Sequence, residues 1–268
     1  MREFFDRQDC LRQGLSRGCV LQLDGKRFVV VGAGRGIGLA IADAFVEEGA
    51  QVVRMDTEFS SQTAGPNAQV LCDVASRTQV ETSFNQAVSE LGGLDGLVNT
   101  AGIERRVPAA EITHLEWDQM LDVHLRGTFL TNQAAFPHLR AQGGGRIIDF
   151  GSHAGLTPYP RGAHYSAAKG GVIAWTRSAA HEWGKFGITV NCVLPAIRTP
   201  MYEENVARMS SGEREAHDER MQQAIAIGGR LGDAKTDLTP VLIFLAGEGS
   251  RFITGELISI TGGLGSTR

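Results

Sequence analysis

Phe28-Val29-Val30-Val31-Gly32-Ala33-Gly34-Arg35-Gly36-Ile37-Gly38 is the stretch that decides the fold. Four apolar residues, three of them β-branched, read as a short buried strand. A glycine-rich turn follows at once, and Gly36 to Glu48 continues as an amphipathic helix. Glycines at such a junction permit a tight turn and a close approach of backbone amides to a bound anion. The helix N-terminus adds a dipole that favours negative charge. The spacing parses best as Gly32-x-x-x-Gly36-x-Gly38, with Gly34, Arg35 and Ile37 completing the loop, and predicts a site for a pyrophosphate.

Outward from that loop, β-type runs alternate with helical patterns. Strands are expected at Gln51 to Met55, Gln69 to Cys72, Gly96 to Asn99, Arg146 to Phe150, Ile188 to Val193 and Leu257 to Ile260. Helices fit between them, notably Glu116 to Leu139, Ala163 to Lys185 and Thr236 to Leu245. This alternation predicts one α/β domain: a doubly wound parallel sheet of about seven strands with helices on both faces. Met201 to Ala226 interrupts the pattern with a run rich in Glu, Arg, Met and Ser. It reads as a pair of short helices within a small substrate lid over about 197–230.

Eighteen residues past Gly38, at the end of the second strand, stands Asp56. A carboxylate there accepts hydrogen bonds from an adenosine ribose diol and repels a 2′-phosphate, which favours NAD over NADP. Arg35 and Arg54 argue the other way, since a nearby arginine can hold that phosphate.

The chain has 268 residues, 42% hydrophobic and 21% charged, which suits a folded domain rather than a disordered chain. A net charge of -4 gives no electrostatic reason to expect nucleic acid or an anionic membrane as partner. No apolar run approaches membrane-spanning length. Residues 1–24 mix four arginines with four acidic residues and lack an apolar signal core. They are expected to form an N-terminal extension before a domain spanning 25–268. Cys10, Cys19, Cys72 and Cys192 make no Cys-x-x-Cys pair, and the histidines no His-x-x-x-His pair. Reduced thiols, a cytoplasmic location and no metal site are the expectations.

Tyr165-Ser166-Ala167-Ala168-Lys169 carries the chemistry. Four-residue spacing puts the phenol and the ammonium on one helix face, one turn apart. An ammonium held there pulls the phenol below its ordinary pKa of about 10, making a base for an alcohol or an acid for a carbonyl.

With these residues in view, the chain resembles the short-chain dehydrogenase/reductase family, a Rossmann-type fold, over about Leu23 to Gly263. The likeness rests on the glycine loop, Asp73-Val74, Asn99-Thr100-Ala101-Gly102, and Ser152 thirteen positions before Tyr165. Thr254-Gly255-Glu256 through Gly262-Gly263 closes it. The resemblance implies that Tyr165 is the general acid/base, that Lys169 tunes it and holds the nicotinamide ribose, and that Ser152 binds the reacting oxygen. It places Asp73 at the adenine and Thr199 at the carboxamide. Asn99 would support the sheet beside the cofactor, with Val74, Ala101, Gly102, Pro195 and Ile197 contributing contacts. It further implies a homotetramer or homodimer built on the helices around Glu116 to Leu139 and Ala163 to Lys185.

The chain departs from the family pattern at Val31, Thr100 and the shortened Pro195-Ala196-Ile197-Arg198-Thr199 segment. The largest departure is His124, where the family has a catalytic asparagine. An imidazole can bind water and relay protons near its ordinary pKa of about 6.5. His124 and the Arg198-Thr199 pair are similar to a branch that includes the dehydrogenase unit of multifunctional enzymes acting on hydroxyacyl thioesters.

The function implied is NAD-dependent interconversion of a secondary alcohol and a ketone, with an apolar or cyclic substrate, steroid-like or 3-hydroxyacyl. His153, Tyr159 and Tyr202 are the substrate-facing candidates, with Leu156, His164, Val206 and Met209 around them. The alternatives are an NADPH-dependent ketone or 3-oxoacyl reductase and, in another class, a non-catalytic dinucleotide-binding regulator.

Overall fold

The computed structural model describes residues 21–59 and 68–265. Residues 1–20 of the expected extension, with Cys10 and Cys19, lie outside the described residues. Leu23, assigned above to the extension, is fully buried, and its amide donates to the Glu48 carbonyl at 3.1 Å. Packing of the fold therefore begins before Gly25.

One parallel sheet organises the chain, with strands β1 (Arg27–Val31), β2 (Gln51–Asp56), β3 (Ala68–Leu71), β4 (Gly96–Asn99), β5 (Gly145–Phe150), β6 (Ile188–Pro195) and β7 (Leu257–Ile260). Their order across the sheet is β3-β2-β1-β4-β5-β6-β7, and every neighbouring pair is parallel. The helices are α1 (Gly36–Glu47), α2 (Arg77–Leu91), α3 (His114–Leu121), α4 (Gly127–Ala141), α5 (Ala163–Trp183), α6 (Pro200–Ala207), α7 (Ser211–Ala224) and α8 (Thr239–Ala246).

Side-chain alternation along β1 shows why both faces are covered. Phe28 and Val30 pack with Ile41 and Phe45 of α1 and Leu242 of α8. Val29 and Val31 pack on the other side with Val80 and Phe84 of α2 and Leu130 of α4. Each such side chain, fully buried, contributes about 1.5–3 kcal/mol relative to exposure. A run apolar on both faces is what a strand inside a doubly covered parallel sheet requires.

The order in which strands are added reverses between β1 and β4, which opens a crevice outside the carboxyl ends of the strands. The glycine loop, the segment after Asn99, Ser152 and the segment after Pro195 all leave the sheet at that edge.

The helix expected over Glu116 to Leu139 is not one regular helix. Thr113 and Glu116 form a capping box that starts α3 early, and a π-turn over Asp122–Arg126 separates it from α4. The wider turn holds His124, which is buried with its ring bonded to the backbone of Ile103. Thr236 to Leu245 likewise divides into a π-turn, Ala234–Leu238, and α8. The interrupting segment forms α6 and α7, the latter opened by a Ser210–Glu213 capping box. Among the described residues, no helix is long and apolar enough to cross a membrane.

Candidate active site

Six strand ends supply the site. At the end of β1, Gly32 and Gly36 adopt left-handed backbone, φ +77° and +62°, which favours glycine. A Cβ on Gly34 would stand 2.4 Å from the Glu58 carbonyl oxygen, and one on Gly38 would stand 2.2 Å from that of Gly32. Arg35 caps α1 in extended backbone without a side-chain hydrogen bond, and no acidic residue lies in the first turn. The first amides of α1, where Ile37 sits, thus have no capping side chain, and Gly36 meets only Pro200 Cδ at 3.6 Å. Such a cradle fits an anionic pyrophosphate by shape and by charge.

Asp56 ends β2 beside that cradle. Its Oδ2 accepts from the Gly34 amide at 2.7 Å, and its Oδ1 accepts from the Thr57 amide at 2.7 Å. The Thr57 hydroxyl also donates to Oδ1, at 3.3 Å, so both oxygens are oriented and Oδ2 keeps acceptor capacity for a diol. Arg35 points elsewhere, its Nη1 3.1 Å from Glu204 of α6. Arg54 is fully buried, with its guanidinium 5.6 Å from the centroid of the Phe59 ring.

Beyond β3, Asp73 Oδ1 accepts from the Ala75 amide at 2.9 Å and shapes the turn into α2. Val74 is buried under Gly127, where a Cβ would meet its Cγ2 at 2.8 Å. After β4, Thr100 Oγ1 donates to the carbonyls of Val31 and Gly32 at 2.7 and 3.1 Å, locking the two loops together. Ala101 lies so close to Gly32 that a Cβ there would approach its nitrogen to 2.4 Å. Gly102 makes room for His124, whose Cε1 would be 2.6 Å from a Cβ.

Beneath the site lies a buried polar network. Asn99 Nδ2 donates to Asn132 Oδ1 at 2.7 Å and to Asp149 Oδ1 at 2.8 Å, and Asn99 Oδ1 accepts from Thr131 at 2.8 Å. Asp149 also accepts from Asn132 and Thr176, at 3.0 and 3.1 Å. Burial lifts its carboxyl to about 6 despite these donors. Asn99 and Asp149 thus join β4, β5, α4 and α5 beneath the candidate reacting groups.

The candidate reacting groups follow β5. Ser152 Oγ accepts from the Ala154 amide at 3.1 Å, and its hydroxyl lies near enough to the Tyr165 phenol to favour the ionised form. Lys169 is buried on α5, and its ammonium donates to the Phe150 carbonyl at 2.5 Å. The expected downward pull on the phenol is not what this arrangement produces. Tyr165 is pushed up to about 12, first by burial and then by the negative charge of Glu104, against the opposing Ser152 hydroxyl. Lys169 is brought down to about 8, also by burial. Helical spacing places the pair correctly, but desolvation of the phenolate outweighs an ammonium held at the backbone of Phe150.

The imidazole of His124 packs edge-on against Tyr165, ring centroids 5.2 Å apart. Its Nε2 lies 2.7 Å from the Ile103 carbonyl oxygen and 3.1 Å from the Ile103 amide nitrogen, so its tautomer selects between two partners. Nδ1 is buried without a hydrogen-bond partner among the described residues. Burial, followed by the charge of Lys169, pushes the imidazole down to about 3. A titrating role near pH 6.5 is therefore replaced by a neutral ring.

The β6 segment departs from expectation in detail. Ile197 is buried in the core with Phe150 and Leu238 and forms an isolated parallel bridge with Gly232. β6 itself continues through Pro195, and Thr199 Oγ1 accepts from the Tyr202 amide at 3.1 Å at the start of α6. Tyr202 reaches His217 Nε2 of α7 at 2.9 Å and lines a cavity of about 590 Å³ with Arg198, Arg214 and Arg230. None of Ser152, Tyr165 and Lys169 lines that cavity. His153 lies half-buried beside Ser152, with burial lowering its pKa, and His164 is fully buried.

Tyr159 lies beside Tyr165, their ring centroids 5.7 Å apart. With it come two residues that sequence reasoning missed. Glu104 accepts from the Tyr159 hydroxyl, and Arg106 donates to both. The available signal was position: both lie within four residues after Asn99-Thr100-Ala101-Gly102, at a strand end where ligands bind.

A profile of the short chain dehydrogenase family matches residues 26–210, and the chain belongs to that family. It is 37% identical over 250 residues to the short-chain reductase protein NovJ of Streptomyces niveus, spanning 88% of this chain and 92% of that one. It is 32% identical to D-threitol dehydrogenase of Mycolicibacterium smegmatis, covering 94% and 97% of the two chains. The ligand-free aldohexose dehydrogenase of Thermoplasma acidophilum superposes with a TM-score of 0.85 at 26% identity, over 93% of this chain and 98% of that one.

The protein is an oxidoreductase of CH–OH groups and ketones, and the non-catalytic reading is set aside. Members of this family bind a nicotinamide dinucleotide and act on small alcohols or ketones.

Proposed function

We propose that the protein is an NAD-dependent oxidoreductase of a small secondary alcohol or its ketone. One observation carries the reading: Ser152, Tyr165 and Lys169 converge at the β5 edge of the crevice whose β1 edge holds the uncapped α1 N-terminus. Gly32, Gly34, Gly36 and Gly38 would hold the pyrophosphate, Asp56 the adenosine ribose, and Asp73 the adenine side. The nicotinamide ribose would lie at Tyr165 and Lys169. A bound nicotinamide supplies the hydride chemistry.

Tyr165 and Ser152 hold the substrate oxygen between two hydroxyl donors, and Tyr165 exchanges the proton at that oxygen. With its pKa lifted to about 12, the phenol keeps its proton at neutral pH and serves as the acid toward a ketone. In the reverse direction the same oxygen takes the proton back. Lys169 holds positive charge at the end of β5. His124, neutral and fixed by Ile103, offers Nδ1 to a water rather than a titrating proton.

Asp56 supports NAD over NADP, because the two arginines that might anchor a 2′-phosphate are engaged: Arg35 with Glu204, and Arg54 inside the fold. The substrate mouth is more polar than an acyl chain or steroid demands, since Glu104, Arg106, Tyr159 and His153 face it beside Leu156. That weighs against the hydroxyacyl branch that His124 and Arg198-Thr199 resemble. A homodimer or homotetramer is supported by the half-buried aromatic cluster of Phe129 and Phe136 on α4 with Trp175 and Trp183 on α5. Buried free thiols at Cys72 and Cys192 are in keeping with a cytoplasmic location.

Initial rates with NAD and with NADP over a panel of secondary alcohols test the reading. A higher kcat/KM with NADP would sink the cofactor assignment, and light scattering settles the subunit number.

A further inference from the structure

We propose that Glu104, Arg106 and Tyr159 form a hydroxyl-recognition subsite beside Tyr165, and that the substrates are polyhydroxylated alcohols with a hydroxyl next to the reacting carbinol. This rests on the alcohol-oxidising reading above and names its substrate class.

Location comes first. The Tyr159 and Tyr165 rings are neighbours, and Glu104 is near enough for its charge to act on the Tyr165 phenol. A group bound at this cluster therefore lies alongside the oxygen that Tyr165 and Ser152 hold.

The chemistry selects the ligand. The Tyr159 hydroxyl donates to Glu104 Oε1 and accepts from Arg106 Nη2. Arg106 Nε donates to the same Glu104 oxygen at 3.2 Å, and its guanidinium covers the Tyr159 ring at 4.7 Å. A carboxylate acceptor and a guanidinium donor thus stand side by side, and an alcohol hydroxyl is at once a donor and an acceptor. A substrate carboxylate would gain from Arg106 but be repelled by Glu104. An apolar substrate would strip water from both charges and return no hydrogen bond. A neutral diol satisfies both.

The cluster is also built rather than incidental. It joins the loop after β4 to the loop after β5, which are tied where the Val107 amide donates to the Arg161 carbonyl at 2.7 Å. Arg161 holds φ +63°, the one non-glycine residue in left-handed backbone among those described. Such strain collects at functional sites. Gly162 lets the Tyr159 ring fold back, since a Cβ there would stand 2.3 Å from Tyr159 Cδ1. The Arg106 side chain is 53% exposed and that of Glu104 20%, so a ligand can reach both.

The test compares cyclohexanol with cis- and trans-cyclohexane-1,2-diol, which differ from it only by the adjacent hydroxyl, using each nicotinamide and the full-length enzyme. At least one diol is expected to exceed cyclohexanol in kcat/KM by about tenfold or more. Glu104→Gln should bring that ratio close to one, with the loss in KM for the diol. Cyclohexanol used as well as both diols, or a Glu104→Gln enzyme that keeps the ratio, overturns the subsite and leaves the alcohol-oxidising reading standing. A simple tie between loops would weaken all three substrates alike and is overturning as well. Turnover of none of them, in a protein whose fluorescence shows that NAD binds, rejects both readings together.

Discussion

The Lys169 ammonium donates to the Phe150 carbonyl at 2.5 Å while standing 5.9 Å from the centroid of the Tyr165 ring. The lysine is thus anchored to the end of β5, and the Tyr165 proton is governed by burial, Ser152 and Glu104. Deleting the phenol oxygen removes the proton-exchanging atom and leaves Lys169 in place. Tyr165→Phe should lower kcat by about 10²–10⁴-fold. Cofactor affinity, read by fluorescence titration, should stay within about threefold of wild type. An active Tyr165→Phe enzyme would falsify the assignment.

Asp56 braces the Gly34 amide and is proposed to select the cofactor, and a single variant separates the two roles. Asp56→Ala should narrow the NAD-over-NADP ratio of kcat/KM by about tenfold, which corresponds to ~1.4 kcal/mol. It should also leave the Gly34 amide without its acceptor, at about 1 kcal/mol of stability. A retained cofactor ratio in a destabilised variant would mean that Asp56 only braces the loop.

His124 gives a pH signature of known sign. Its pKa falls from 6.5 to about 3 on folding, so between these values the unfolded chain binds the proton more readily. Its contribution to stability is present above about 6.5 and declines as pH drops toward 3, by up to about 1.4 kcal/mol per pH unit. Asp149 runs the opposite way, since its pKa is raised from 3.8 to about 6 and its share of stability is lost as pH rises through that window. Comparing wild type with His124→Asn cancels Asp149. Urea midpoints at pH 7 and pH 5 should drop further for wild type than for the variant. Equal drops would mean that the imidazole is not held neutral. The acidic limb of the pH-rate profile should be the same in both proteins above about pH 5.

Gly102 and His124 should be coupled. A Cβ at Gly102 would lie 2.6 Å from His124 Cε1, so Gly102→Ala forces the ring or the loop to shift. The expected cost is about 1–3 kcal/mol in chemical denaturation. In a His124→Asn background the smaller side chain yields space, and the cost should fall by half or more. Additive losses would show that the two positions do not press on each other.

Much of the fold was legible because its signals are local. The apolar runs at Phe28 to Val31 and Gly96 to Asn99 become β1 and β4 within one residue, since a strand buried on both faces must be apolar throughout. The π-turn at His124 was not legible. Nothing within Leu121 to Gly127 requests an extra residue per turn; the contact that uses it comes from Ile103, 21 positions away. Asn99 was expected to support the sheet, but its partner Asp149 lies 50 positions on, beyond any periodicity.

Residue order and spacing by themselves determined the parallel α/β fold, the anion cradle at α1, and the presence of Ser152, Tyr165 and Lys169, because each depends on neighbours a few positions apart. Tertiary structure alone decided the charge state of that site and what surrounds it. Burial raises Tyr165 and lowers Lys169 and His124, and burial is a property of the packed chain rather than of any segment. The Glu104–Arg106–Tyr159 cluster likewise exists because two loops more than 50 residues apart leave adjacent strands at the same edge.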